Sequence, residues 1–306
     1  MKTYQQLWQS LTPLYDAGEA QAIVRTVLDV KYRMTLTDII CGKVNELSAD
    51  EGKKIEEIVE RLQKAEPVQY ILGEADFTGR TFHVEPGVLI PRPETAELCQ
   101  WIEEDCKAKE QSSDKTETSP RRILDICTGS GCIAITLALD IADSEVEGWD
   151  ISEDALRIAK GNAMALDAKN VKIRYRDALN LTKEIKDIHK SISDNDKWDV
   201  IVSNPPYICE KEKKDMEKNV LEHEPEIALF VPDEAPLRFY FAIAQYAATA
   251  LKPGCNLYFE INPIYEEEMK EMLKGLHFIN IETREDAFGK KRMMRATTER
   301  AVAHNQ

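Results

Sequence analysis

Hydrophobic residues near the start of the chain recur at intervals of three and four positions. The clearest series are Leu7, Leu11 and Leu14, followed by Ile23, Val27 and Val30. This period predicts amphipathic helices with one apolar face each. Ser48 stands three residues before Glu51, the spacing of a capping box, which predicts the start of a further helix. We therefore expect a small all-helical domain over residues 1–65.

The pattern changes at Pro67. Two β-prone runs, Val68–Leu72 and Phe77–Val84, are separated by glycine and polar residues. A break of this kind between two such runs is typical of a β-hairpin. We expect residues 66–90 to form a β-hairpin connector between two domains.

The remaining residues, 91–306, have the pattern of an α/β domain. Pro93 can occupy the first turn of a helix, and the polar stretch 107–122 is expected to be a flexible surface loop. Beyond it, helical patterns alternate with the strand-like runs Ile123–Ile126, Val146–Asp150, Val171–Tyr175, Trp198–Val202 and Leu257–Ile261, and the runs Phe278–Thr283 and Arg292–Ala296 follow. This alternation predicts a doubly wound parallel sheet with helices on both faces.

Composition and charge narrow the class of protein. The 306 residues are 43% hydrophobic and carry a formal net charge of -15. We expect a soluble globular protein without a membrane span or a nucleic-acid surface, because apolar runs are short and the charge is acidic. The seven cysteines are scattered and the five histidines lack metal-ligand spacing. This favours reduced thiols in the cytoplasm and no bound metal.

The residues after the first strand of the predicted sheet are the first candidates for binding. In open α/β sheets, ligands bind beyond the carboxyl ends of the strands. The strand is followed by Cys127, Thr128, Gly129, Ser130 and Gly131. The glycines permit a close backbone approach to a ligand, although a simple tight turn would have the same composition. The spacing is neither G-x-G-x-x-G nor a P-loop, which weighs against a dehydrogenase and an NTPase.

Acidic residues follow the next two strands. Asp150 ends the second strand, where a carboxylate can accept hydrogen bonds from both hydroxyls of a ribose. The alternative is a helix cap, but Ser152 is better placed for that role and leaves Asp150 free. Asp177 follows the third strand, where it either faces an adenine amino group or forms a turn.

The fourth strand ends in Asn204, Pro205, Pro206 and Tyr207. Pro205 forces Asn204 into an extended conformation, and neither proline has an N–H group, so the carbonyls here are free of regular sheet pairing. The amide oxygen of Asn204 and a backbone carbonyl could then accept two hydrogen bonds from one planar NH2 group, with Tyr207 stacking beside it. A proline-rich turn would explain the prolines but not this set of groups. We predict that this segment binds the reacting group.

The combined motifs resemble a known family. Asp125–Gly131, Asp150 and Asn204–Tyr207 resemble class I S-adenosylmethionine methyltransferases that methylate planar nitrogens. With the helical N-terminal region, Pro67–Gly73 and Ile90–Thr95, the chain resembles the HemK/PrmC family of protein-glutamine methyltransferases over nearly its whole length. The Asn-Pro-Pro-Tyr run alone is shared with DNA adenine and some RNA methyltransferases.

The resemblance implies a Rossmann-like methyltransferase sheet whose last strand is antiparallel, with S-adenosylmethionine as cofactor and S-adenosylhomocysteine as product. It also implies methylation of the Gln in the Gly-Gly-Gln motif of peptide chain release factors, and we expect a monomer. The cofactor would be bound by Cys127, Thr128, Gly129, Ser130, Gly131, Asp150, Asp177, Ala178 and Asn204. The glutamine would be bound by Asn204, Pro205, Pro206, Tyr207, Arg92 and Glu94, of which Asn204, Pro205 and Tyr207 are the expected catalytic residues.

Two positions depart from the family pattern. Cys127 stands where the family usually has Gly, and its Cβ restricts the backbone of the loop. Ala178 stands where many relatives carry a bulkier residue beside the adenine. Both departures bear on cofactor affinity more than on methyl transfer.

Three other functions are alternatives for a sequence with these motifs. A sister enzyme of the same fold would methylate a glutamine of a ribosomal protein. A DNA adenine methyltransferase would need a target-recognition region and a basic face, against which the net charge of -15 argues. A non-catalytic binding module would not need an acceptor motif beside a cofactor loop. For a protein substrate, the helices of residues 1–65 are the expected source of extra contact area.

Overall fold

The computed structural model describes residues 2–112, 119–181 and 196–299. Its helices are α1 (Tyr4–Gln9), α2 (Ala17–Tyr32), α3 (Leu36–Ile40), α4 (Ala49–Leu62), α5 (Val68–Leu72), α6 (Pro93–Ser112), α7 (Cys132–Asp140), α8 (Glu153–Ala165), α9 (Lys218–His223), α10 (Glu226–Leu229), α11 (Arg238–Ala250) and α12 (Glu266–Gly275). Short 3-10 helices cover Lys43–Glu46, Glu210–Asp215 and Pro263–Tyr265. The strands are β1 (Glu74–Phe77), β2 (Arg80–His83), β3 (Arg121–Ile126), β4 (Ser144–Asp150), β5 (Val171–Tyr175), β6 (Trp198–Ser203), β7 (Ile208–Cys209), β8 (Phe230–Val231), β9 (Leu251–Glu260), β10 (Phe278–Glu285) and β11 (Lys291–Thr298).

The chain divides into two compact units. The first consists of residues up to Glu74 together with Val84–Pro86 and Asp215–Glu224. The second consists of Ala75–His83, Gly87–Lys214 and the chain from Pro225 onward. A segment that follows the Asn204–Tyr207 motif therefore packs with the N-terminal helices, which the sequence did not indicate.

The first unit is helical, as the hydrophobic period predicts. Its core includes Leu7, Leu11, Val27 and Ile55, whereas Leu14 is 40% exposed because α1 ends at Gln9. The predicted capping box at the start of α4 is present, since Ser48 Oγ accepts from the Glu51 N–H and the Glu51 carboxylate accepts from the Ser48 N–H.

Two predictions about chain segments were wrong in part. Val68–Leu72 forms helix α5 rather than a strand, and the hairpin pairs β1 with β2. A five-residue apolar run fits a buried helix turn as well as a strand, so its period does not decide between them. The loop predicted for 107–122 was wrong at both ends, because α6 continues to Ser112 and β3 begins at Arg121. Lys107, Lys109, Glu110 and Gln111 are exposed on α6, and residues 113–118 lie outside the described residues.

The second unit contains a seven-stranded sheet with the order β10-β11-β9-β6-β3-β4-β5. β9, β6, β3, β4 and β5 are parallel, β11 is antiparallel to β9, and β10 is antiparallel to β11. This confirms the predicted doubly wound sheet with an antiparallel last strand. From β3 the chain moves to one side through β4 and β5, then crosses to the other side at β6. The carboxyl ends of β3 and β6 therefore form the topological switch point, where such sheets bind ligands. No helix among the described residues is both long and apolar enough to cross a lipid bilayer.

Candidate active site

A cavity of about 340 Å³ opens at this switch point, and all of its lining residues belong to the second unit. A volume of this size is typical of small-molecule sites. The predicted site residues that line it are Arg92, Cys127, Thr128, Gly129, Ser130, Asp150, Asp177, Ala178, Asn204 and Pro206. Glu94, Gly131, Pro205 and Tyr207 are not among its lining residues. Lining residues that the sequence analysis missed include Val88, Thr95, Ile133, Ile227, Phe230 and Phe239.

The loop after β3 lies at the edge of this cavity, and its backbone has unusual φ angles. Cys127, Gly129 and Gly131 all have positive φ, of 65°, 55° and 81°. A Cβ on Gly131 would lie 3.0 Å from Ile135 Cδ1, so glycine there permits close packing, whereas the space beside Gly129 is open. Cys127 therefore adopts a left-handed backbone conformation, which a residue with a Cβ rarely adopts. Burial raises the pKa of the Cys127 thiol, which keeps it neutral.

Asp125, the penultimate residue of β3, stabilises this loop through hydrogen bonds. Its Oδ2 accepts hydrogen bonds from Thr128 Oγ1 at 2.6 Å and from the Ala134 N–H at 3.2 Å. The side chain is fully buried, and burial raises its pKa to about 7 despite these two donors. Among the described residues, Oδ1 has no hydrogen-bond partner. Asp125 therefore joins the loop to the start of α7.

Asp150 lies at the end of β4 and faces the cavity, but it is not free. Its Oδ2 accepts from the Gly129 N–H at 2.9 Å and its Oδ1 accepts from the Ser152 N–H at 2.9 Å. The predicted cap is present, since Ser152 Oγ accepts from the Ala155 N–H of α8. Burial raises the pKa of Asp150, although the backbone donors oppose this shift. Each carboxylate oxygen keeps a further lone pair for a ligand.

Asp177 and Ala178 lie beyond the end of β5. Asp177 Oδ1 accepts from the Leu179 N–H at 2.9 Å, and Oδ2 accepts from the side-chain amide of Asn180. Asp177 thus forms a turn, the alternative considered for it, and also lines the cavity. Ala178 is buried against the hydrophobic core, where its small side chain leaves room in the cavity wall.

Asn204 is held by two residues that the sequence analysis did not assign to the site. Its Nδ2 donates to Glu260 Oε2 at 2.9 Å and to Thr95 Oγ1 at 3.2 Å. Glu260 is 3% exposed at the end of β9, and Thr95 is 2% exposed near the start of α6. An available signal was the single carboxylate in the apolar strand Leu257–Ile261, because an isolated buried charge is costly.

Tyr207 contributes through its hydroxyl, which donates to Glu260 Oε1 at 3.0 Å. Burial raises the pKa of Tyr207. The ring is outside the cavity lining, so stacking of Tyr207 beside a substrate amide stays a prediction. Arg92 lines the cavity, and its carbonyl accepts from the Thr95 N–H at 3.1 Å. Glu94 lies one residue before Thr95 and outside the lining.

Two hydrogen-bond acceptors of the cavity differ in charge, because Asp150 contributes a carboxylate and Asn204 a neutral amide oxygen. In the part of the chain that the structure describes, no three His, Cys, Asp or Glu residues are grouped to hold a metal ion. None of the seven cysteines is in a disulfide. With these two acceptors, the cavity can bind a molecule with hydroxyl groups at Asp150 and present an NH2 group to the oxygen of Asn204.

Comparison with known proteins shows which families and relatives this chain is similar to. Residues 117–274 match the family described as Methyltransferase domain, and residues 14–73 match the PrmC N-terminal domain. A release factor glutamine methyltransferase of Bacteroides thetaiotaomicron is 46% identical over 288 residues, which cover 94% of this chain and 96% of that protein. The protein of the same name from Flavobacterium psychrophilum is 36% identical over 297 residues, which cover 96% and 98%. The solved structure of human methyltransferase 10 domain containing protein has the same fold, with a TM-score of 0.50 and 16% identity over 72% of this chain and 88% of that chain.

Proposed function

The chain belongs to the HemK/PrmC family of release factor glutamine methyltransferases, and on that premise we propose that it methylates the side-chain amide nitrogen of the Gln in the Gly-Gly-Gln motif of peptide chain release factors. The observation that carries this proposal is the orientation of Asn204. Its Nδ2 faces Glu260 and Thr95, so its oxygen is the atom available to the cavity that Asn204 lines. An oxygen in that position accepts from an NH2 group, which a glutamine side chain has.

The cavity fits S-adenosylmethionine, which we propose as the cofactor. Asp150 offers a half-buried carboxylate to ribose hydroxyls, and Gly129 leaves open space for a ligand against the loop. The Ser130 hydroxyl is buried and has no partner among the described residues, so it is a further group that a polar ligand could satisfy. When bound, the cofactor supplies an electrophilic methyl group on a positively charged sulfur.

The residues of the chain would act mainly by orienting the acceptor. An amide nitrogen is a weak nucleophile because its lone pair is delocalised into the carbonyl. Asn204 Oδ1 and the Pro205 carbonyl would hold the NH2 group with the nitrogen at near-attack distance, an effect worth up to several kcal/mol. The same oxygens would stabilise the positive charge that develops on the nitrogen as its bond to the methyl carbon forms and the bond between that carbon and sulfur breaks. The nitrogen would then release one proton to water, which leaves a neutral N-methyl amide. Arg92 and Glu94 would brace this side of the site through the first turn of α6.

We propose that the first unit recognises the protein substrate. A glutamine side chain has too few atoms for tight selection, so the enzyme needs contact area away from the reacting group. The helices of the first unit are the chain's main folded surface outside the unit that contains the cavity. We also propose the cytoplasm as the place of action, since seven cysteines outside any disulfide fit a reducing compartment.

The test is to incubate the purified protein with isotopically labelled S-adenosylmethionine and four candidate acceptors. These are an intact release factor, the same factor with Glu in place of the motif Gln, purified ribosomal proteins and duplex DNA. Label should enter only the unaltered release factor, and mass spectrometry should place one methyl group on the motif Gln. Label in a ribosomal protein or in DNA, with none in the release factor, would replace this proposal with one of the alternatives.

A further inference from the structure

Glu260 is a buried carboxylate that the proposed mechanism does not yet use. It occupies the last position of β9, next to Phe259 and Ile261, which are 1% and 0% exposed. Burying a charge in such surroundings is costly unless hydrogen bonds compensate for the lost water. The packing of the strand therefore does not by itself explain why a carboxylate is buried at this position.

The sheet itself brings Glu260 to the acceptor motif. β6 and β9 are parallel neighbours in which Ser203 is paired with Phe259. Asn204 and Glu260 follow this pair directly, so they lie side by side at the carboxyl end of the sheet. Thr95 completes the group from the first turn of α6, where its hydroxyl donates to Glu260 Oε2 at 2.5 Å.

The hydrogen bonds leave Asn204 one orientation. Asn204 Nδ2 lies 2.9 Å from Glu260 Oε2 and 3.2 Å from Thr95 Oγ1, whose own proton is used on Glu260. These two acceptors are only 2.5 Å apart, so one N–H directed between them serves both. Turning the amide over would direct Asn204 Oδ1 at the carboxylate oxygen, so two acceptors would meet without a proton between them. Because the amide is planar, fixing Nδ2 on this side places Oδ1 on the other side of the group.

We propose that Glu260 is a positioning residue that holds the Asn204 amide with its oxygen toward the cavity, and that it thereby selects acceptor groups that donate hydrogen bonds. This inference rests on the proposed function, since it assigns Asn204 Oδ1 to the acceptor NH2. Glu260 also holds Tyr207 through its other oxygen. The ionised carboxylate accepts from all three donors and places a negative charge one hydrogen bond from the reacting centre.

The ionisation state of Glu260 makes this role testable by pH. Burial raises its pKa, whereas hydrogen bonds from Thr95 and Tyr207 lower it; Glu94 raises it and Arg292 lowers it through their charges. The Tyr240 hydroxyl donates to the Glu260 carbonyl and bounds the site from α11. A protonated carboxyl would have to donate from one oxygen, in competition with Asn204, Thr95 or Tyr207. Turnover should therefore fall as pH decreases through the pKa of Glu260.

The main test compares Glu260→Gln with the wild type in steady-state methylation of a release factor across pH. We expect kcat to fall by about ten- to hundredfold, the loss of a hydrogen bond to a charged group, while KM and S-adenosylmethionine affinity stay within a few fold. The acidic limb of the kcat profile should disappear. Glu266→Gln is the matched control, because Glu266 is also a buried carboxylate but pairs with Lys270 and Lys291. Glu266→Gln should keep the wild-type kcat and the acidic limb of the kcat profile.

Thr95→Val is the second variant, and it also serves if Glu260→Gln does not fold. It removes the hydroxyl that lowers the pKa of Glu260, so the acidic limb should move to higher pH as kcat decreases. A Glu260→Gln enzyme with wild-type kcat and an unchanged limb would overturn the inference, and so would a Thr95→Val enzyme with both unchanged.

A substrate-free measurement separates this inference from the proposed function. In protein labelled with 15N-asparagine, one side-chain amide proton of Asn204 should exchange slowly with solvent, and at least ten times faster in Glu260→Gln or Thr95→Val. The Asn204→Ala spectrum assigns the signal. Slow exchange in the wild type with no methylation of any release factor would refute the proposed substrate only. Equal exchange rates in wild type and variants would refute the positioning role only.

Discussion

The backbone N–H of Gly129 donates to Asp150 Oδ2 across 2.9 Å. This bond ties the loop after β3 to the end of β4, which are 21 residues apart in sequence. The carboxylate proposed to bind a ribose therefore also fixes the loop that borders the same ligand.

Replacing Asp150 with Ala should weaken S-adenosylmethionine binding by about ten- to hundredfold. Two ribose hydroxyls lose a charged acceptor, a loss of about 1.5–3 kcal/mol, and the loop loses its anchor. Calorimetric titration measures the affinity, with Glu145→Gln, an exposed carboxylate on the same strand, as control. An unchanged dissociation constant in Asp150→Ala would remove this residue from the cofactor site.

Replacing Asn204 with Ala should abolish most turnover and leave cofactor affinity within a few fold. The oxygen proposed to orient the acceptor amide is lost, and a positioning effect of this kind is worth up to several kcal/mol. Single-turnover kinetics and calorimetry on the same preparation give both quantities. Asn256→Ala is the control, because Asn256 is a buried asparagine of β9 that bonds Tyr258 and Thr297 and does not line the cavity. A normal rate in Asn204→Ala would refute the mechanism, whereas lost cofactor binding would assign Asn204 mainly to the cofactor.

The free energy of unfolding should depend on pH through Asp125. Burial raises its pKa from 3.8 to about 7 in the folded protein. Between these values the folded state retains a proton that the unfolded state releases, so the stabilising effect is present below about pH 4 and is lost as pH rises to about 7. Urea unfolding at several pH values should give a smaller decrease for Asp125→Asn than for the wild type. Parallel pH profiles for the two proteins would mean that the pKa of Asp125 is the same in the folded and unfolded states.

Glu266 should show the opposite dependence. Burial raises its pKa, but the hydrogen bonds from Lys270 and Lys291 outweigh burial and lower the pKa to about 2. Its stabilising effect is therefore present above the ordinary pKa of 4.5 and is lost as pH falls toward 2. Glu266→Gln should lower the free energy of unfolding by a nearly constant amount between pH 5 and pH 8, measured by the same urea series. A difference that changes across this range would contradict the assignment.

Removing residues 1–65 should leave cofactor binding intact, because every residue that lines the cavity belongs to the second unit. Asp215–Glu224 would lose its partners, including the contact of the His223 ring with the Lys64 carbonyl at 3.2 Å. We therefore expect new proteolytic cleavage in this segment, detected by mass spectrometry. Loss of S-adenosylmethionine binding would show that the second unit does not fold alone.

The same truncation tests substrate recognition by the first unit. kcat/KM for an intact release factor should fall strongly, whereas a short Gly-Gly-Gln peptide should react about equally poorly with both proteins. Equal values on the intact factor would make the helices merely structural.

The amino-acid sequence by itself determined the structural features that depend on residues close together in the chain. Ser48 and Ser152 mark helix starts because a hydroxyl at that position accepts from a nearby N–H. Pro93 begins α6 because its missing N–H is not needed in the first turn. The alternation of strands and helices predicted the doubly wound sheet, and the sheet placed the residues after its strands at one edge.

Only the tertiary structure decided which side chains meet at that edge. Glu260 and Thr95 lie 56 and 109 residues from Asn204, and the register of β6 against β9 brings the first of them into contact. Whether Val68–Leu72 became a helix or a strand, and which unit received Asp215–Glu224, likewise depended on packing partners far along the chain. Local sequence sets backbone preferences and caps, but a hydrogen bond between distant residues forms only when the packed core fixes their positions, and the orientation of Asn204 depends on such bonds.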